Sequence, residues 1–200
     1  MTKIDISSLN IDEYYNSIDT NKIKNELQTY KPKKFKKIID NLENIIKADI
    51  PNIENLYLSY CSNFTKKEKK FIENTFNYSY NRNSNKKFME HFKKLNIKSC
   101  PFCNNNHVYF YKQGVGKVNT LATLEHYYPK AQYPHLSLSF YNLIPSCSAC
   151  KSSRACSTTL SISFSDLYNG SPGSGSMWSI AIIGFLTPNI FSVHNIFFAS

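Results

Sequence analysis

The chain carries two Cys-x-x-Cys pairs whose side chains could hold a metal ion. Cys100 and Cys103 form the first pair, and Cys147 and Cys150 form the second. Two such pairs supply four thiolates, which is the ligand set of a tetrahedral structural zinc site. Buried or redox-active cysteines are the alternative, although a thioredoxin-like motif would use only one pair. We therefore predict that the four cysteines bind one structural Zn²⁺, which fixes both ends of the segment between them.

That segment contains an acidic residue next to a histidine, Glu125-His126. A carboxylate can hold a hard cation, while a neutral imidazole can take a proton from water. On an extended strand the two side chains point to opposite faces, so they reach one site only where the strand bends. Pro129 is compatible with such a bend. Asn142, later in the same segment, could tie the loop to the backbone through its side-chain amide.

The charge balance points to a polyanionic partner. Lys and Arg number 24 against 14 Asp and Glu, and the net charge is +10 over 200 residues. A surplus of this size favours nucleic acid or an anionic membrane, and a solvated basic surface is the alternative. Residues 1–20 are polar and lack the apolar stretch of a secretory signal, which favours a cytoplasmic location. Cys61 and Cys156 are interpreted as free thiols.

Residues 1–98 contain no glycine and are predicted to form a basic, helical N-terminal region. Apolar residues recur at three- and four-residue spacing, which is typical of helices with one buried face. Thr65 and Glu68 form a capping-box pattern that predicts the start of one helix. The other predicted helices are Asp12–Leu27, Lys33–Lys47, Ile53–Ser62 and Asn83–Leu95.

After Cys100 the pattern changes from helical to extended. His107–Lys112 and Val118–His126 read as strands around a turn at Gly114 and Gly116, and Tyr141–Pro145 is short and apolar. The fold class is therefore predicted to be α+β, with a core domain at residues 99–154.

Residues 155–200 differ in composition from the rest of the chain. They hold one charged side chain, Asp166, and no lysine. Residues 155–176 read as a Ser-rich linker, and the apolar residues 177–200 are interrupted by Pro188. A membrane span needs about 20 uninterrupted apolar residues, so we predict against one. A tail that is not native to the domain is a second interpretation.

Four segments together resemble the HNH endonuclease family. They are Glu125–Lys130, Tyr133-Pro134, Asn142–Pro145 and Cys147–Cys150. The similarity is greatest to members in which two Cys-x-x-Cys pairs frame a ββα-metal finger. The resemblance covers a little over a quarter of the chain. It implies a helical N-terminal region followed by a zinc-stapled HNH finger.

The resemblance also implies roles for individual residues. His126 would be the general base, Glu125 a ligand of a catalytic Mg²⁺ or Mn²⁺, and Asn142 the residue that constrains the histidine loop. The four cysteines would hold structural zinc. The implied reaction is hydrolysis of DNA phosphodiester bonds. Lys130, Lys151 and Arg154 are predicted to contact the nucleic acid.

One position departs from the family pattern. Lys151 stands where the family has Asn or His, and a protonated amine cannot ligate a cation. His135 is a candidate to fill that role. The alternative function is therefore a catalytically impaired, zinc-containing module that binds nucleic acid. Phage defence or restriction, with a defence-system ATPase as partner, is an expectation by analogy with family members.

Overall fold

The computed structural model describes residues 4–112, 118–120, 122–152 and 168–169. All of them belong to one compact unit, which runs to Gly170. The α-helices of this unit are α1 (Ile11–Asn16), α2 (Thr20–Tyr30), α3 (Pro32–Asp40), α4 (Leu42–Lys47), α5 (Ile50–Asn52), α6 (Lys66–Phe76), α7 (Tyr78–Ser84), α8 (Lys86–Lys94) and α9 (Ser148–Ser152). The strands are β1 (Ile4–Asp5), β2 (Phe110–Lys112), β3 (Val118–Thr120), β4 (Thr123–His126), β5 (Leu143–Ser146) and β6 (Tyr168–Asn169).

The described strands form three small two-stranded sheets beside the helices, which is consistent with the predicted α+β class. β1 pairs in parallel with β6, while β2 pairs antiparallel with β3. β4 and β5 also pair antiparallel, with Glu125 opposite Ile144 and His126 opposite Leu143. This last pair is a hairpin closed by a long loop, and it carries the candidate site.

Two predicted helices are each split by a residue that caps or bends the chain. The first is divided between α1 and α2, because the Asp19 carboxylate accepts the Lys22 N–H at 3.0 Å and starts a new helix. The second is divided at Asn41, whose side-chain amide bonds to the Lys37 carbonyl at 3.0 Å. Apolar residues keep their three- and four-residue spacing across that break, so α3 and α4 both bury their apolar side. The buried residues are Phe35, Ile38, Leu42, Ile45 and Ile46.

The predicted capping box is confirmed at the start of α6. The Thr65 N–H donates to Glu68 at 2.8 Å, and the Glu68 N–H donates to the Thr65 hydroxyl at 3.3 Å. Lys31 and Lys34 also bond to the Glu68 carboxylate, at 2.8 and 2.9 Å, and hold its pKa well below its usual range. This ion cluster joins the start of α3 to the start of α6.

The predicted helix at 53–62 is instead a π turn, Ile53–Tyr57, followed by a 3-10 turn, Leu58–Cys61. The helix predicted at 83–95 begins only at Lys86. Asn85 accepts the Phe88 N–H at 3.2 Å and separates α8 from α7. The separation matters for the site because α7 then packs against β4 as an independent helix.

A single hydrophobic core runs from the N-terminal helices into the segment around the hairpin. The Tyr14 hydroxyl donates to the Leu138 carbonyl at 2.9 Å. The Phe92 and Phe140 rings stack with centroids 5.0 Å apart, and Tyr14 meets Phe140 edge-on at the same distance. The long loop between β4 and β5 is therefore held by the helices, and the core is shared by the predicted regions 1–98 and 99–154.

Several predictions concern residues outside those described. They are the turn at Gly114 and Gly116, Arg154, Cys156 and the tail at 155–200 apart from Tyr168–Asn169. Within the described residues, no helix is long and apolar enough to cross a membrane.

Candidate metal centre and active site

The four predicted cysteines come together in one cluster. The sulfur atoms of Cys100, Cys103, Cys147 and Cys150 all lie within 4.8 Å of one another. The Cys103 and Cys147 sulfurs are 3.9 Å apart. A tetrahedral site with Zn–S bonds of about 2.3 Å places its sulfurs about 3.8 Å apart. The cluster therefore has a ligand set and a spacing compatible with structural zinc.

Tight local turns aim the sulfurs at one point. In the first pair, the Asn104 N–H donates to the Cys100 carbonyl at 2.7 Å, and Asn104 takes a left-handed φ of 51°. In the second pair, the Cys150 N–H donates to the Cys147 sulfur at 3.4 Å. The Asn106 amide reaches across to the same sulfur, also at 3.4 Å. Such N–H donors stabilise thiolates, which are the metal-binding form.

The protonation of the cluster also favours a bound cation. Hydrogen bonds from the backbone of Asn105 and Asn106 lower the pKa of Cys103 to about 6. Burial raises the pKa of Cys100, the innermost thiol. Four adjacent thiols cannot all ionise without a positive charge between them, because like charges disfavour one another. A divalent cation such as Zn²⁺ removes that penalty.

The β4–β5 hairpin connects this cluster to the predicted catalytic residues. Thr123 and Ser146 are opposite each other, with their hydroxyls 2.9 Å apart, and Ser146 directly precedes Cys147. His126 lies three residues further along β4, about 10 Å away at the usual rise of a strand. The cysteine cluster thus anchors one end of the hairpin, and Glu125 and His126 lie towards the other.

His126 is held as a neutral imidazole. Burial lowers its pKa to about 4, and its ring packs edge-on against Tyr78 with centroids 4.6 Å apart. Nε2 lies 3.2 Å from the Ser137 carbonyl oxygen. Because a carbonyl only accepts, this contact assigns the hydrogen to Nε2 and leaves Nδ1 as the acceptor nitrogen. In this assignment Nδ1 is the nitrogen that could accept a proton.

Glu125 offers a carboxylate oxygen suited to a cation. Its Oε1 is buried and has no hydrogen-bond partner in the part of the chain that the structure describes. The Lys151 Nζ is 3.8 Å from that oxygen. Burial raises the pKa of Glu125, while the charges of Lys151 and Arg82 oppose the rise. A buried carboxylate oxygen without a hydrogen bond from the described residues fits a metal ligand, although the Lys151 ammonium is already paired with it.

Asn142 clamps the loop between the two strands. Its side-chain oxygen accepts the Tyr128 N–H at 2.6 Å, and its amide donates to the Leu136 carbonyl at 2.9 Å and to the Tyr128 carbonyl at 3.3 Å. Its own carbonyl accepts the Tyr127 N–H at 2.9 Å. The residue is fully buried. It therefore fixes the chain directly after His126, while its catalytic role stays a prediction.

We expect Asn142→Ala to destabilise the fold by about 3 kcal/mol. The change leaves the Tyr128 N–H and the Leu136 carbonyl buried without their partner, and each such group costs about 1–3 kcal/mol. Urea denaturation measures the loss. Asn44→Ala removes an exposed amide from α4 and should stay within about 0.5 kcal/mol of the wild type. Equal losses in the two variants would show that Asn142 is not a clamp.

The predicted DNA-contacting lysines lie close to the site. The Lys130 Nζ is 3.1 Å from a Glu73 carboxylate oxygen and 6.0 Å from the centre of the Tyr78 ring. Lys151, in α9, is half-exposed beside Glu125. Arg154, the third predicted contact, is outside the described residues.

The prediction for His135 as a replacement metal ligand is wrong. His135 is fully buried, and both ring nitrogens are engaged in the core. Nδ1 is 2.9 Å from the Cys61 sulfur, and Nε2 is 2.9 Å from the Tyr57 carbonyl. Burial lowers the pKa of His135 to about 4 and raises that of Cys61 to about 12. The pair is a neutral structural link between the 3-10 turn and the long loop.

Two residues of α7 at the site were not predicted from the sequence. The Tyr78 hydroxyl donates to the Leu124 carbonyl at 3.2 Å, and its ring packs on His126. Arg82 follows Tyr78 by one turn on the same face of α7. One feature of the sequence distinguishes Arg82: it is the only arginine in residues 1–98, where the other basic side chains are mostly lysines.

No protein-family model, curated protein or solved structure matches this chain.

Proposed function

We propose that the chain is a metal-dependent endonuclease of the HNH type that hydrolyses phosphodiester bonds in DNA. The observation that carries this proposal is the arrangement on the β4–β5 hairpin. His126 is a neutral imidazole with an acceptor Nδ1, and Glu125 precedes it in β4 with a buried oxygen that has no hydrogen bond among the described residues and lies 3.8 Å from Lys151. Asn142 fixes the loop after them. The cysteine cluster anchors the opposite end of the same hairpin.

In the proposed reaction, His126 Nδ1 takes a proton from a water molecule. The water oxygen then bonds to phosphorus as the bond from phosphorus to the leaving 3′ oxygen breaks, and that oxygen takes a proton from solvent. Glu125 is the residue that would hold Mg²⁺ or Mn²⁺. When bound, such an ion stabilises the negative charge on the phosphate and on the leaving oxygen.

Charge around the site supports DNA as the substrate. Lys130 and Lys151 lie beside Tyr78 and Glu125, and the chain has a net charge of +10. Lysines bind the phosphate backbone irrespective of sequence. A cytoplasmic role in phage defence or restriction, with a defence-system ATPase as partner, is proposed only by analogy with the family.

A second candidate is a zinc-containing module that binds nucleic acid without cutting it efficiently. The observation that favours it is the 3.8 Å separation of Lys151 Nζ from Glu125 Oε1. An ammonium at this distance neutralises the carboxylate and repels a second cation. In this second candidate the cysteine cluster still holds zinc and the lysines near the site still bind nucleic acid, while the catalytic ion binds poorly.

Replacing Lys151 separates the two candidates. We expect the wild type to nick supercoiled plasmid with Mg²⁺ or Mn²⁺, and Lys151→Asn to do so about tenfold faster at limiting metal. A tenfold change corresponds to about 1.4 kcal/mol, a modest part of a charge interaction at this distance. Lys22→Asn, an exposed lysine of α2, is the matched control. If both chains bind DNA and neither cuts it, the binding module is correct and the enzyme proposal fails.

A further inference from the structure

Arg82 lies on the face of α7 that packs against the candidate site. It follows Tyr78 by four residues, and residues four apart share one face of a helix. Tyr78 contacts β4 twice, through its ring on His126 and its hydroxyl on the Leu124 carbonyl. Arg82 therefore lies on the same face of α7 as Tyr78, which contacts β4 on either side of Glu125.

The Arg82 guanidinium has one engaged nitrogen and one buried nitrogen without a partner among the described residues. Its Nη1 donates to the Asn83 side chain at 3.0 Å. Its Nε is buried and has no hydrogen-bond partner among the described residues. A guanidinium presents five N–H donors in a fixed planar fork, which matches the oxygens of a carboxylate or a phosphate. A buried donor of this kind without an acceptor is costly, so it marks a place where an acceptor fits.

Glu125 is the obvious acceptor, and it does not fill this place. Both residues lie beside Tyr78, because Arg82 follows it by one turn of α7 and Glu125 follows Leu124, whose carbonyl accepts the Tyr78 hydroxyl. Nevertheless Glu125 Oε1 is also buried without a hydrogen-bond partner, and its nearest ion pair is with Lys151. Each of the two groups thus has one buried atom without a hydrogen bond among the described residues. A phosphate accompanied by a divalent cation satisfies both, with an anionic oxygen for the arginine and a cation for the carboxylate.

The wider charge balance favours an anion there. Arg82 is one helical turn from Tyr78, Lys130 is 6.0 Å from the Tyr78 ring and Lys151 is 3.8 Å from Glu125. These three positive charges stand against the two carboxylates of Glu125 and Glu73. The excess is positive before any metal binds, and a bound divalent cation would increase it. Both conditions attract a phosphodiester oxygen.

We propose that Arg82 forms a phosphate-binding subsite, in which its guanidinium holds non-bridging oxygens of a DNA phosphodiester against the Glu125–His126 site. This inference rests on the proposed function, because it takes the DNA phosphate as the ligand of that site. The planar fork of Arg82 orients the phosphate from the α7 side. Lys130 and Lys151 contribute charge without that orientation.

Binding of a short fluorescent DNA duplex to the zinc-loaded full chain tests the subsite. Fluorescence anisotropy is measured with Ca²⁺ in place of Mg²⁺, over a range of salt concentrations. We expect Arg82→Gln to weaken binding about tenfold and to reduce the slope of log affinity against log salt by about one. Arg82→Lys should keep the salt slope and recover only part of the affinity.

Lys22→Gln is the matched control. It removes one positive charge from α2, where the lysine side chain is 64% exposed. Arg82→Gln and Lys22→Gln with the same affinity and the same salt slope would overturn the proposal. Thermal melting checks that the variants fold. If Arg82→Gln does not fold, Arg82→Lys decides the matter, and wild-type affinity in that variant overturns the subsite.

The binding measurement keeps this inference separable from the proposed function. A chain that binds DNA through Arg82 and never nicks plasmid retains the subsite and loses the nuclease. A chain that nicks plasmid and binds DNA equally well with Arg82→Gln retains the nuclease and loses the subsite.

Discussion

The Cys147→Ser variant is expected to lose its bound zinc and to be largely unfolded at 25 °C. Serine does not supply a thiolate, so three sulfur ligands remain in a cluster built for four. Structural zinc contributes on the order of 10 kcal/mol to folding, while whole domains are stable by about 5–15 kcal/mol. Metal analysis should find one zinc per wild-type chain and far less in the variant, and circular dichroism should show the loss of the cooperative melt.

Cys61→Ser is the control for this experiment. It makes the same substitution at a buried cysteine outside the cluster, and the serine hydroxyl can still donate to His135. We expect it to keep a full complement of zinc and a cooperative melt. Freshly purified wild-type protein without zinc, or Cys147→Ser protein with a normal zinc content, would contradict the metal centre.

His126→Ala should reduce DNA cleavage by a factor of about 10²–10⁴. This is the usual contribution of a positioned general base, which here would be Nδ1 of a half-buried, neutral imidazole. DNA affinity should stay within about twofold of the wild type, because the neutral ring contributes no charge to phosphate binding. Plasmid nicking and fluorescence anisotropy measure the two quantities on the same preparation.

His107→Ala provides the matched histidine control. His107 is exposed and its ring stacks on Tyr109, so its removal should leave the cleavage rate unchanged. Cleavage at the wild-type rate by His126→Ala would exclude His126 as the base. A contaminating nuclease would give the same cleavage rate in the His126→Ala and His107→Ala preparations, so this comparison also reveals a contaminant.

Features that depend on local spacing could be predicted from the sequence. The two cysteine pairs carry their own turn geometry, and Thr65 with Glu68 forms its capping box within one helical turn. The breaks between predicted helices could not be located as well. At Asn41 the three- and four-residue spacing of apolar residues continues across the break. That spacing predicts one helix and does not indicate where the helix is interrupted.

Features that depend on distant packing could not be predicted. From the sequence His135 is available as a metal ligand, because nothing near it in the chain indicates its contact with Cys61, which lies 74 residues earlier. Tyr78 and Arg82 reach the site only because α7 packs on β4, and Tyr78 bonds to a carbonyl 46 residues away. The sequence therefore predicts the residues on the hairpin, while the helix that covers them becomes apparent only in the fold.

The most direct measurement of the proposed activity is the conversion of supercoiled plasmid to open circles by the zinc-loaded wild-type chain, with and without Mg²⁺ or Mn²⁺. We expect open circles to accumulate only when the divalent ion is present, and to be nearly absent with His126→Ala under the same conditions. A wild-type chain that binds the plasmid, carries its zinc and leaves the DNA intact with either ion would contradict the proposed nuclease.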